Sequence, residues 1–82
     1  MSLRIRKAAS TGRLRRGIGA AKANIEELQE ALNKAGFDAG AVDGDFGPIT
    51  EEAVQALQRA NGLLPSGMIH PRELEILEQA IV

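Results

Sequence analysis

Three stretches of the chain carry apolar residues at helical spacing. In the first, Ile25, Leu28, Leu32 and Ala35 recur every three or four positions and form one stripe. Asn24 ahead of it and Glu27 three residues later match a capping box, which predicts a helix beginning after Asn24. Gly36 stands where a left-handed C-cap residue belongs, and Phe37 beyond it can fold back onto the stripe. In the second stretch Val54, Leu57 and Asn61 lie on one line, flanked by Ala53, Ala56 and Ala60. Thr50 is placed to cap this helix, Glu51 and Glu52 favour its positive end, and Gly62 closes it. The third starts near Pro71, a residue type favoured at the first helical position, with Leu74, Leu77 and Ile81 as its stripe and Ile76 and Ala80 beside it. Leu63 and Leu64, in the turn before it, read as two buried anchors. The pattern predicts an all-α fold, a compact three-helix bundle.

Between the first two helices the run Asp43-Gly44-Asp45-Phe46-Gly47-Pro48-Ile49-Thr50 reads as an ordered, packed loop. Asp43 can accept local backbone hydrogen bonds in an Asx-type turn, and Gly44 can supply a positive φ. Phe46 is expected in the core, because a small domain with only two aromatics can hardly leave one outside. A weak repeat at a spacing of 23 pairs Gly44, Phe46, Pro48, Ala53 and Val54 with Gly67, Ile69, Pro71, Ile76 and Leu77. Two copies of a turn-helix device are too few for a solenoid.

Charge divides the chain. Arg4, Arg6, Lys7, Arg13, Arg15, Arg16 and Lys22 place seven cations in the first 22 residues with no acid among them. The other sixty residues hold eleven acids against Lys34, Arg59 and Arg72, a balance of −8. Residues 1–23 therefore read as a basic N-terminal arm, extended or disordered unless docked, and residues 24–82 as the helical domain. Arg4, Arg6, Lys7, Arg13, Arg15 and Arg16 are the residues such an arm would offer a partner. With 82 residues and no cysteine, one small domain without disulfides or thiolate metal sites is the limit. The N-terminus lacks the continuous apolar core of a signal peptide, and no apolar run is long enough to span a membrane.

Several chemistries are poorly served. Asp43-Gly44-Asp45 is too short for calcium and no bidentate Glu follows at loop spacing, while His70 has no second zinc ligand near it. No metal or other cofactor is expected. Ser2, Ser10 and Ser66 lack motif context, and a bundle this small offers little depth for a water-shielded cleft, so no enzyme activity is expected. Nucleic acid would be bound only non-specifically, through the arm, since no aromatic platform or recognition motif accompanies it.

From about Ile25 to Leu77 the chain resembles the peptidoglycan-binding-domain-like family of small three-helix modules attached to many cell-wall hydrolases. The resemblance rests on Leu28-Gln29, Leu32, Gly36-Phe37, Val42-Asp43-Gly44, Phe46-Gly47-Pro48 and Thr50. It continues through Ala53-Val54, Leu57-Gln58, Asn61-Gly62-Leu63, Gly67, Ile69 and Pro71. Where the family often has Gly-Pro-x-Thr-Trp in the last unit, this chain has His70-Pro71-Arg72-Glu73-Leu74, and Leu57 stands where an aromatic is usual. The resemblance implies a non-catalytic module that holds a partner enzyme or assembly near peptidoglycan, acting at the bacterial envelope or in a phage or secretion-type particle. Its ligand would be wall glycan or stem peptide, met by polar groups at Asp43, Gly44, Asp45, Phe46, Gly47 and Thr50. The alternative is a structural subunit of such an assembly, using the same fold without sugar binding and docked through its basic arm.

Overall fold

The computed structural model describes residues 15–17 and 21–80. Three helices carry the fold: α1 (Lys22–Lys34), α2 (Pro48–Ala60) and α3 (Pro71–Ala80). α1 packs against both of the others. Its stripe of Ile25, Leu28, Ala31 and Leu32 meets Ala53, Val54 and Leu57 of α2 and Leu74 and Leu77 of α3 in a single core. The loops add Ala39, Phe46 and Ile69 to it. Phe46 is the expected core aromatic, and Phe37 packs half-buried against the same cluster. The predicted three-helix bundle is the fold.

Both helix stops follow from the glycines that the pattern singled out. After α1, the Phe37 amide donates to Leu32 O at 2.9 Å and the Gly36 amide to Asn33 O at 3.1 Å. After α2, the Leu63 amide donates to Gln58 O at 2.8 Å and the Gly62 amide to Arg59 O at 3.2 Å. These bonds satisfy carbonyls that a helix end leaves without partners.

The helix starts differ from expectation. α1 begins at Lys22 with Ala21 as its N-cap and no side-chain cap, so Asn24 lies in the first turn, its amide donating to Ala21 O at 3.0 Å. Alanines on both sides of Lys22 extend the helix backwards, because Ala loses least on entering a helix. Lys22 and Ala23, read as the end of the arm, are therefore the first residues of α1. α2 begins at Pro48 rather than Thr50, with Gly47 as N-cap, since proline brings a helical φ to the first position. Thr50 points its hydroxyl inward instead of capping.

Two apolar expectations also change. Leu63 is half-buried, but Leu64 is 80% exposed. The chain spends Leu63 on closing α2 and turns at once, with the Ser66 amide donating to Leu64 O at 2.8 Å, which leaves Leu64 outside. Asn61 is exposed and turns back to donate from Nδ2 to Leu57 O at 2.8 Å. Ile81 lies outside the described residues, as do Arg4, Arg6, Lys7 and Arg13. Of the arm residues that are described, Arg16 pairs with Glu51 of α2 at 3.6 Å, and the Gly17 amide reaches Phe46 O at 3.4 Å. No helix among the described residues is long and apolar enough to cross a membrane.

Candidate functional site

The loop between α1 and α2 is built around one buried side chain. Gln29, only 1% exposed, enters it from α1. Its Oε1 accepts from the amides of Asp43 and Gly44, both at 3.0 Å. Its Nε2 lies 3.0 Å from Asp43 Oδ1, 2.9 Å from Asp45 O and 3.1 Å from Thr50 Oγ1. An amide nitrogen carries two hydrogens, so the three acceptors share two donors. One turn further along the same face of α1, Asn33 accepts from the Ala39 amide at 2.7 Å and donates to Gly40 O at 3.0 Å. Residues four apart on a helix are neighbours, and this pair clamps both halves of the loop to α1.

Within the loop the expected Asx turn is present, with the Asp45 amide donating to Asp43 Oδ1 at 2.9 Å. This bond and the one from Gln29, with a further contribution from the charge of Lys22, hold the Asp43 carboxyl below the ordinary carboxylate range. Gly44 has a φ of 78°, and a Cβ there would also collide with Cγ of Lys22, so conformation and space both demand glycine.

The loop and the start of α2 enclose a shallow groove of about 210 Å³. Ala39, Ala41, Pro48 and Ile49 form its apolar wall, Gln29 and Thr50 line its inner end, and Asp43 and Asp45 stand at its rim. A second hollow of about 320 Å³ continues on the far side of Ile49, lined by Asp38, Glu52, Ala53 and Ala56. Ile49 is thus shared by both hollows and is 58% exposed. The first turn of α2, which lines the groove, has no side-chain cap.

The same device is used again around Gln58, 29 residues after Gln29, with its turn 23 residues after the first. Gln58 of α2 is fully buried; its Oε1 accepts from the Gly67 amide at 3.0 Å. Its Nε2 approaches Ser66 Oγ at 3.1 Å, Met68 O at 3.0 Å and Glu73 Oε2 at 3.4 Å. Ser66, Gly67, Met68 and Glu73 stand in register with Asp43, Gly44, Asp45 and Thr50. The local turn repeats too, the Met68 amide donating to Ser66 Oγ at 3.2 Å and Gly67 having a φ of 79°. In place of the Thr50 hydroxyl the second copy buries the Glu73 carboxylate. Burial alone would raise its pKa, but hydrogen bonds from Arg72 Nε at 3.0 Å, the His70 amide at 2.7 Å and Gln58 outweigh that and lower it. His70, 3.2 Å from Glu73 through Nδ1, stands at the start of α3.

A family profile described as "Putative peptidoglycan binding domain" matches residues 21–77, which include both glutamines, both turns and the whole groove. The chain belongs to this family. It is also 45% identical over 49 residues to the type VI secretion system spike protein VgrG3 of Vibrio cholerae serotype O1; the match covers 57% of this chain and 5% of that protein.

Among the residues expected at a ligand face, Asp43 and Asp45 are exposed at the groove rim, and Gly44 and Gly47 are half-buried. Phe46 and Thr50 are buried, so the ring serves the core and the hydroxyl serves Gln29. No group of three His, Cys, Asp or Glu side chains that could hold a metal ion occurs among the described residues. Sequence reasoning missed the parts played by Gln29, Gln58 and Asn33, and the exposure of Ile49. A signal for the glutamines existed. Gln29 lies four residues after Ile25, and Gln58 four after Val54, so each is a polar group on a core-facing stripe within reach of a turn rich in unpaired amides.

Proposed function

We propose that this protein is a non-catalytic module that binds peptidoglycan, through the groove between Asp43 and Thr50 and the hollow beyond Ile49, and so holds a partner enzyme or assembly at the wall. The family match across the whole groove is the observation that carries this reading. The chemistry suits it. Muropeptides present hydroxyl, amide and short apolar groups, and the groove offers a fixed apolar wall edged by carboxylates and backbone amides. Its shape is set before any ligand arrives, because Gln29 and Asn33 already hold the loop, which lowers the ordering cost of binding.

The test is co-sedimentation of the intact chain with purified sacculi at low salt. The chain is expected in the pellet, and to stay there when salt screens the arm; an Ile49→Ser variant is expected to be retained less well. A chain that remains in the supernatant at low salt ends this reading. The similarity to a secretion-system spike protein favours a second one, in which the domain is a structural subunit of an envelope-spanning or phage-like particle, docked through its basic arm. That reading calls for no sedimentation with sacculi but for co-purification with the particle, lost when Arg4, Arg6, Lys7 and Arg13 are changed to Gln.

A further inference from the structure

The charge around the groove narrows the ligand further than the family does. Four carboxylates border the two hollows, Asp43 and Asp45 on one side of Ile49 and Asp38 and Glu52 on the other, and among the described residues no cation lines either hollow. Two of the four already have work in the fold: Asp43 accepts from Asp45 and Gln29, and Asp38 accepts from the Gly40 amide at 2.9 Å. Lys22, whose stem crosses Gly44, also contributes its charge to Asp43. Asp45 and Glu52 face the hollows with their carboxylates uncommitted among the described residues. Ile49, shared by the two hollows, stands between them, with Pro48 and Ala41 adding aliphatic surface on the Asp45 side.

An apolar strip edged by carboxylates is complementary to an aliphatic chain that ends in a cation. We propose that the groove reads the free side-chain amine of a lysine-type diamino acid in the peptidoglycan stem peptide, its methylenes lying on Ile49 and its ammonium drawn to the carboxylates that edge this strip, Asp45 on one side and Glu52 on the other. This rests on the wall-binding reading and sharpens it, since it assigns recognition to the peptide rather than the glycan. It also makes binding selective, because an amine already used in a cross-link is an uncharged amide and cannot pair with the carboxylates. The groove would then favour wall that is not yet cross-linked. The competing occupant is the chain's own arm, whose Arg16 and Gly17 are fastened beside the loop at Glu51 and Phe46.

The probe is a soluble muropeptide with a free lysine side chain, compared with the same muropeptide acetylated on that amine, each titrated into the full chain and followed by backbone amide NMR. The free-amine probe is expected to shift amides across residues 38–52. Acetylation is expected to weaken binding by roughly fivefold, the scale of one exposed ion pair, and added salt to reduce the difference. Asp45→Asn combined with Glu52→Gln, neither of which removes a fold-supporting bond, should bring the free-amine probe to the level of the acetylated one and leave the latter unchanged. Equal binding of both probes by the natural chain, or shifts outside the groove, overturns the proposal. So do shifts at residues 38–52 that appear without ligand when Arg4, Arg6, Lys7 and Arg13 are changed to Gln, since the arm is then the occupant. Sacculi with chemically acetylated amines separate the two levels: retention equal to that on untreated sacculi sinks the amine assignment alone, whereas retention on neither sinks wall binding itself.

Discussion

The two glutamine-centred turns use one hydrogen-bonding plan in two environments. Around Gln29 the turn is open: Asp43 and Asp45 face solvent, and several of the bonds that hold it are only partly buried. Around Gln58 the turn is more enclosed: Gly67 and its bond to Gln58 are buried, although Ser66 is exposed and the bonds from Gln58 to Ser66 and Met68 are only partly buried. The exchange of Thr50 for Glu73 fits that difference. A hydroxyl suffices where the neighbouring groove admits water, while the enclosed copy brings in a carboxylate that also takes the His70 amide at the start of α3. The same backbone device therefore shapes a surface in one place and anchors a helix in the other.

That contrast can be broken most forcefully at the glutamines. Replacing either by Leu keeps its bulk but leaves turn amides without an acceptor, at about 1–3 kcal/mol for each one that water cannot reach. Gln58→Leu is expected to cost about 3 kcal/mol and Gln29→Leu about 2 kcal/mol, because water can partly replace Gln29 at the open turn. Urea unfolding of both variants checks the order, and equal losses would mean that the two turns do not differ in solvation as described.

A smaller effect is expected at Glu73. Its folded pKa lies below the unfolded value, so its contribution to stability is complete above the unfolded pKa of roughly 4.3 and is lost as pH falls through the folded one. Glu73→Gln should flatten the fall in stability below about pH 4.3, measured as Tm against pH. Asp43 is shifted in the same direction and should leave a residual slope of the same sign. A slope unchanged by Glu73→Gln would show that its partners do not hold the carboxylate as described.

The smallest expected change in stability is at the surface. Ile49→Ser and Leu64→Ser should each alter stability by less than about 0.5 kcal/mol, since both side chains are largely in solvent. They differ in place, however: Ile49 borders both hollows of the groove, while Leu64 lies in the other turn. Only Ile49→Ser should weaken retention on sacculi, and equal retention of the two variants would remove the groove from the binding surface.

The helices were legible in the sequence because their apolar stripes, terminal glycines and Pro71 act locally, and Phe46 was legible because a small core can hardly spare an aromatic. Their beginnings were less so. Asn24 and Thr50 have cap-like chemistry, but Ala21, Ala23 and Pro48 let the backbone start earlier, and no local rule ranks these competitors. The turn at Asp43 reads in sequence as self-contained, an Asx bond and a permissive glycine, although most of what fixes it comes from Gln29, fourteen residues upstream. Periodicity notices where a polar residue falls on an apolar stripe but does not say which distant amides it will meet. Leu64 failed for a related reason, since hydrophobicity alone does not tell which of two adjacent leucines closes the helix.

Because Gln29 and Asn33 hold the loop by its backbone and by Asp43, its form is specified from a helix and not by the side chains it displays. The side chains of Ala41, Val42, Asp45 and Ile49 make none of those bonds and can be exchanged without rewriting the instructions for folding. The domain is in that sense a frame with replaceable lettering, suited to selection of new ligands by randomising those four positions while Gln29, Asn33, Asp43, Gly44 and Thr50 are kept.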